Sequence, residues 1–320
     1  MTIRIQSKAH PHAALPAEGS ASLISDARLI EIYATMLKCR MLRERIRNLA
    51  GPAKERAFTA GSEAVAAAVL NGVQPDDSLI LATPHICAAL LKGVPLATLL
   101  RPFSSRLSAA YFDSELAKIH IDSGVLVAPF IGPASRSFTA GALAAGTAFA
   151  AAMKGNRKHV AVAFYGDAGA ENSWREIFHF ALAHSLAVVF VRQSARPLPS
   201  ESRRGRPRKF APGTLPIIPV DANDAVAVYR VAHEAIAHAR RGSGPTLIDC
   251  IPLRLAGERK QDSDCIGRME RYLEAKGLRP GLIRPGVTAK FTRALDAAAT
   301  AARRGARKHR KDRRSANPGK

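Results

Sequence analysis

The stretch Lys158–Val191, KHVAVAFYGDAGAENSWREIFHFALAHSLAVVFV, decides the fold. Val160–Tyr165 is a continuous apolar run of strand length, and Gly166-Asp167-Ala168-Gly169 breaks it. Glu171 and Asn172 stand where a helix N-terminus welcomes hydrogen-bond acceptors. Trp174, Ile177, Phe178 and Leu182 then recur at helical spacing, and Leu186–Val191 is a second buried-strand run. Strand, acidic turn, helix and strand follow one another without a gap. Asp167 therefore falls at the carboxyl end of a strand and beside a helix N-terminus. Open α/β sheets hold phosphates and metals at that edge.

The alternation continues on both sides. Ser25 or Asp26 can cap a helix that carries Ile32, Met36, Leu37, Ile46 and Leu49. A helix over Glu63–Leu70 and a strand over Leu79–Thr83 follow, and residues 102–137 read as irregular. Thr139–Met153 is an Ala-rich helix with Gly141 and Gly146 as close-packing positions. Beyond a basic loop come a strand at Ile217–Val220, a helix at Asp224–Arg240 and a strand at Thr246–Ile251. The pattern predicts an α/β fold, a mostly parallel sheet with helices on both faces. There is no internal repeat.

Composition narrows the class. A chain of 320 residues, 47% of them hydrophobic, buries one large core. Cys39, Cys87, Cys250 and Cys265 form no CxxC pair, which speaks against zinc ribbons and secreted disulfide frameworks and predicts a cytoplasmic protein. His10, Pro11, His12, Pro16 and Glu18 interrupt any signal-peptide pattern, and no apolar run reaches the roughly 18 residues of a membrane span. His233-Glu234 with His238 misses HExxH by one residue, which rotates the second His about 140° round the helix. His179 and His184 fail in the same way. Neither a P-loop nor a Gly-x-Ser-x-Gly elbow is present.

The order of residues around Asp167 resembles the alpha subunit of the thiamine-diphosphate-dependent 2-oxo acid dehydrogenases, the decarboxylating first component of pyruvate, branched-chain and acetoin dehydrogenase complexes. That family has a Gly-Asp-Gly turn after a strand, then a helix, then a strand ending in Asn-Asn. Asp167 matches the turn Asp and Glu176 the Glu of the following helix. Val220–Arg254 is similar to the family's strand, helix and Gly-Pro-Thr-Leu-Ile strand, here Gly244–Ile248. Ala60–Thr83 resembles its Gly-Gln-Glu-Ala helix and Asp-containing turn, and Lys92-Gly93 matches as well. The likeness runs over roughly residues 25–280 and implies the thiamine-diphosphate-binding fold.

The resemblance also implies a cofactor site: thiamine diphosphate held through Mg²⁺, with Asp167 as metal ligand and Gly166, Ala168, Gly169 and His85 at the cofactor. Several positions depart from the family. Ala195 stands for the metal-binding Asn, with Ser194 as a hydroxyl alternative, and the next carbonyl ligand falls on Pro197. Thr83-Pro84 replaces the diphosphate-binding Tyr-Arg, Ile86 replaces a His, and His85 lies between them as a displaced substitute. Ser135–Phe138 replaces the Gly-Ile-Val-Gly loop, and Glu258 stands where the family's active-site His would be. Basic residues of the Arg192–Lys209 loop are expected to compensate for the missing diphosphate contacts. No catalytic residue is assigned.

Charge is the last signal. The net charge is +22, and residues 303–320 hold nine Lys and Arg against Asp312 alone. Without apolar periodicity this basic tail reads as disordered, able to meet polyanions. Arg204-Gly205-Arg206-Pro207 resembles an AT-hook core, though the same residues also suit a solvated loop. The expected organisation is a flexible leader over 1–24, a dehydrogenase-alpha-like domain over 25–285, a helix over 286–302 and the tail over 303–320. Two functions stay open. One is an oxidoreductase alpha subunit that decarboxylates a 2-oxo acid with a beta subunit, the beta chain bringing the Glu that activates the aminopyrimidine. The other is a catalytically impaired paralogue, a structural or regulatory subunit or homo-oligomer.

Overall fold

The computed structural model describes residues 24–50, 62–82, 86–103, 125–127, 135–166, 171–193, 215–252 and 264–316. Six strands form one sheet: β1 (Ser78–Leu81), β2 (Val125–Val127), β3 (Ala161–Tyr165), β4 (Val188–Gln193), β5 (Ile217–Asp221) and β6 (Thr246–Ile251). Their order is β2-β1-β3-β4-β6-β5, and every pairing is parallel. The expected parallel α/β fold is therefore present. The strands read as near-continuous apolar runs because both faces are covered.

Alternate residues of each strand serve opposite faces. Ile80, Ala161, Ala163, Tyr165, Val188 and Phe190 pack under α5 (Ser135–Met153) and α6 (Glu171–Ala183). Tyr165 stacks on Trp174 with centroids 4.1 Å apart, and Phe190 meets Trp174 and Phe178 edge-on. Gly141 of α5 is required there, since a Cβ on it would lie 2.4 Å from Cζ3 of Trp174. Gly146, read as a second close-packing position, faces open space instead.

Leu79, Leu81, Val162, Phe164, Val189, Val191 and Ile248 point to the other face. They pack against α1 (Asp26–Ala50), α2 (Ser62–Leu70), α3 (Ile86–Leu91), α4 (Leu96–Leu100), α7 (Ala225–Arg240) and α9 (Pro280–Ala316). An outer cluster of Leu29, Ile32, Tyr33 and Met36 with Met269 and Leu273 seats α8 (Cys265–Ala275) on α1. Caps set the starts. The Ser25 hydroxyl accepts from Arg28 N, and Asp224 accepts from Val226 N and Ala227 N at 3.0 and 2.9 Å.

Some boundaries differ from the sequence reading. The strand expected at Leu186–Val191 begins at Val188 and continues through Arg192 and Gln193. Residues 102–137, read as irregular, contain β2 and the start of α5. The helix expected over 286–302 begins at Pro280, where proline suits the first helical turn, and its Leu295, Ala298, Ala299 and Ala302 join the main core. It also runs through Ala316, into the segment expected to be disordered. Ala, Arg and Lys are strong helix formers, and a helix already nucleated by packing extends through them at little cost.

Candidate functional site at the carboxyl edge of the sheet

In a parallel sheet all strands end at one edge. From β1 the chain moves outward to β2, and from β3 it moves the opposite way to β4, so the order reverses between β1 and β3. Ligands of open α/β proteins sit at such a reversal, beyond the carboxyl ends. Gly166 directly follows β3 at this point. A Cβ built on it would lie 3.6 Å from the Gln193 carbonyl oxygen, ordinary contact, so glycine is tolerated there rather than demanded. Asp167, Ala168, Gly169 and His85, the other expected site residues, lie outside the described residues, as do Ser194, Ala195 and Glu258.

Two features at this edge escaped the sequence reading. The first is a buried ion pair in which Arg192 Nη1 donates to Asp249 Oδ1 at 2.6 Å, with both side chains under a tenth exposed. Strand register sets it: Tyr165 pairs with Arg192, and Arg192 with Asp249. Arg192 is therefore a strand residue engaged by a carboxylate, not part of a basic loop available to a diphosphate. Burial pushes the neighbouring Tyr165 hydroxyl pKa well up, and Arg192 opposes this more weakly.

The second feature is Gln193, the last residue of β4, which is 3% exposed. Its Oε1 and Nε2 are both buried and make no hydrogen bond among the described residues. Native structures seldom leave an amide in that state, and a bound group is one reason they do. Polar residues closing an otherwise apolar strand, VVFVRQ, and an Asp inside TLIDCI were the signals for both features.

A second polar cluster lies at the amino end of α2. Glu63 is fully buried and accepts from Arg40 Nε at 2.8 Å and Arg43 Nη1 at 3.1 Å. Arg40 also reaches Asp264 Oδ1 at 2.6 Å, and Asp264 caps α8 through Gly267 N. The cluster ties α1, α2 and α8 together. At the opposite edge Asp77 accepts from Arg240, Val160 N and Gln74 N, which makes it a structural residue. A cavity of about 220 Å³ beside Phe149, Arg157, His159 and His184 is also at that amino edge, away from the strand ends.

Among the described residues no three His, Cys, Asp or Glu side chains group to hold a metal. His233 lies against Tyr229 and His184 against Phe149 and Phe180, and neither belongs to a metal-holding group among the described residues. No described helix is long and apolar enough to cross a membrane.

The chain is an α/β protein with a doubly wound parallel sheet and buried polar groups at both edges of it. The chain belongs to the dehydrogenase E1 component family, whose model matches residues 33–280. It is 29% identical over 265 residues to the alpha subunit of acetoin:2,6-dichlorophenolindophenol oxidoreductase of Bacillus subtilis, covering 78% of this chain and 77% of that one. It is 28% identical over 281 residues to the pyruvate dehydrogenase E1 component alpha subunit of Staphylococcus aureus, covering 80% and 72%. Over 163 residues it is 32% identical to the 3-methyl-2-oxobutanoate dehydrogenase alpha subunit of Mycobacterium tuberculosis, 44% of each chain.

Proposed function

We propose that this protein is the alpha subunit of a thiamine-diphosphate-dependent 2-oxo acid dehydrogenase and acts with a beta subunit. The observation that carries the reading is the family match across residues 33–280 together with the reversal of strand order at Gly166. Thiamine diphosphate supplies an electron sink for the charge left by decarboxylation. By the resemblance, Asp167 would offer a carboxylate to Mg²⁺, and Gly166, Ala168, Gly169 and His85 would serve the diphosphate. Gln193 contributes a carboxamide that no described protein group occupies, which fits a ligand at this edge. The Arg192–Asp249 pair ties the carboxyl ends of β4 and β6 together.

Ala195, Ile86 and Glu258, standing where the resemblance calls for Asn, His and His, favour a second reading: a paralogue that keeps the fold and assembles with partners without turning over substrate. Titration calorimetry with thiamine diphosphate and Mg²⁺, with and without a beta subunit, separates the two. The enzyme reading expects saturable, Mg²⁺-dependent heat that Asp167→Ala abolishes, and turnover only after the beta subunit is added. Absence of binding in both arrangements leaves the non-catalytic subunit. If Asp167→Ala binds as well as the parent, Asp167 is a capping residue and the metal assignment fails.

A further inference from the structure

The family match ends at Pro280 and the main core ends at Ala302, yet α9 continues to Ala316. Phe291, Leu295, Ala298, Ala299 and Ala302 anchor the first part of the helix, and Asp296 pairs with Arg45. Arg303 and Arg304 are exposed, and the helix then extends about 20 Å along its axis at 1.5 Å per residue. That extension carries Arg303, Arg304, Arg307, Lys308, Arg310, Lys311, Arg313 and Arg314 against the single acid Asp312.

Helical geometry sorts these positions. At 100° per residue, 303, 304, 307, 308, 310, 311 and 314 fall within an arc of about 160°, and Arg313 alone falls outside it. Gly305, His309 and Asp312 occupy positions on the opposite side. A disordered chain would have no such arc; the helix gathers its cationic positions on one side.

The chemistry of the arc selects its partner. Residues 303–320 contain no Leu, Ile, Val, Met, Phe, Tyr or Trp, so the helix lacks the apolar face that interfacial membrane helices insert. It equally lacks the aromatic platforms on which single-stranded bases stack. What remains is one cation per few ångströms of axis, suited to a polyanion of comparable density. Duplex DNA carries one charge per about 1.7 Å, and its major groove, about 12 Å wide, admits a helix. A helix in that groove meets a phosphate wall on each side, and a broad arc reaches both where a narrow stripe would reach one. The deep, narrow major groove of duplex RNA does not admit it.

We infer that residues 303–316 of α9 form a docking face for the phosphate backbone of double-stranded DNA. Fluorescence anisotropy with a labelled duplex of mixed sequence, about two helical turns long and read at rising KCl across the range where counterion release is steep, tests it on the full chain. Truncation after Ala302 leaves the main core in place and is expected to weaken binding at least about thirtyfold, the scale set by losing several phosphate contacts. The quadruple variant R307Q/K308Q/R310Q/K311Q should weaken it similarly and flatten the dependence of log affinity on log salt by about three units, near 0.9 per phosphate released. Arg313→Gln, off the arc, should change affinity less than about threefold, no more than one peripheral contact contributes. Circular dichroism and urea unfolding confirm that each variant is folded. Equal binding by the truncated or quadruple variant overturns the inference. So does tighter binding, at equal charge concentration, to single-stranded DNA, duplex RNA, phosphatidylserine vesicles or polyglutamate.

Discussion

Arg240 at the end of α7 grips Asp77 before β1 with two bonds, Nη2 to Oδ2 at 2.6 Å and Nη1 to Oδ1 at 3.0 Å. The Asp77 side chain is 1% exposed, and the same carboxylate accepts from Val160 N at 2.9 Å. Arg240 also donates to the Lys158 carbonyl at 2.8 Å. One carboxylate thus joins α7 to the amino ends of β1 and β3. Breaking a buried pair strands the other charge, so Asp77→Ala should cost about 3–5 kcal/mol. Urea unfolding reads this as a lower midpoint with an unchanged slope. A loss within the range of exposed pairs, under about 1 kcal/mol, would mean that Arg240 finds water instead.

Gly141 and Gly146 differ in what surrounds them, and their alanine variants should move stability in opposite directions. A Cβ at Gly141 meets the Trp174 ring at 2.4 and 2.8 Å, so Gly141→Ala should cost about 1–3 kcal/mol through overpacking. Gly146 is exposed with nothing near its missing Cβ, so Gly146→Ala should stabilise α5 by up to about 1 kcal/mol. Thermal melts of the two variants decide it. A destabilising Gly146→Ala would reveal a neighbour packed on this face in solution.

Much of this architecture was legible because buried parallel strands are unbroken apolar runs. Ala161–Tyr165 and Thr246–Ile251 stand out against their surroundings, and Asp224 marked the start of α7. Val125–Val127 was missed because three residues carry too little pattern to rise above a segment read as irregular. The end of β4 was missed for the opposite reason. Arg192 and Gln193 look like loop residues, and the Asp249 across the sheet is what pairs with Arg192 inside it. Ion pairing is a property of two distant positions, Arg192 with Asp249 or Arg40 with Glu63 and Asp264, and no local window contains both. The residue motif around Asp167 was visible in the sequence, while the amide of Gln193, without a partner among the described residues, became visible only through burial.

Asp264 gives the fold an acid-sensitive joint. Burial alone would raise its pKa, but the hydrogen bond from Arg40, the Gly267 N–H and the Arg40 charge together hold it below the usual carboxylate value. A carboxylate whose folded pKa is depressed contributes stability above its unfolded pKa, near about 3.9, and loses it as pH falls through the folded value. The side chain is 37% exposed, so solvent screening keeps the contribution small. Asp264→Asn should therefore lower stability at neutral pH modestly and flatten the decline below about pH 4. Parallel curves for parent and variant across that window would show that Asp264 acts as a neutral cap.

Gln193 gives the sharpest test of whether the carboxyl edge is built for a ligand. Both of its amide atoms are buried without a partner among the described residues, and an amide left unsatisfied in the folded chain would cost about 1–3 kcal/mol of desolvation. Gln193→Leu keeps much of the volume and removes the polar atoms, so it should raise the urea midpoint of the ligand-free protein. If the amide serves a bound group, the same variant should lose the extra stability that thiamine diphosphate and Mg²⁺ give the parent, since only a ligand that prefers the folded state stabilises it. The two effects have opposite signs, and no packing defect produces both. A variant that is less stable without ligand would show that the amide already has a partner, such as a buried water. One that is more stable yet binds the cofactor unchanged would make Gln193 a tolerated defect with no part in holding the cofactor.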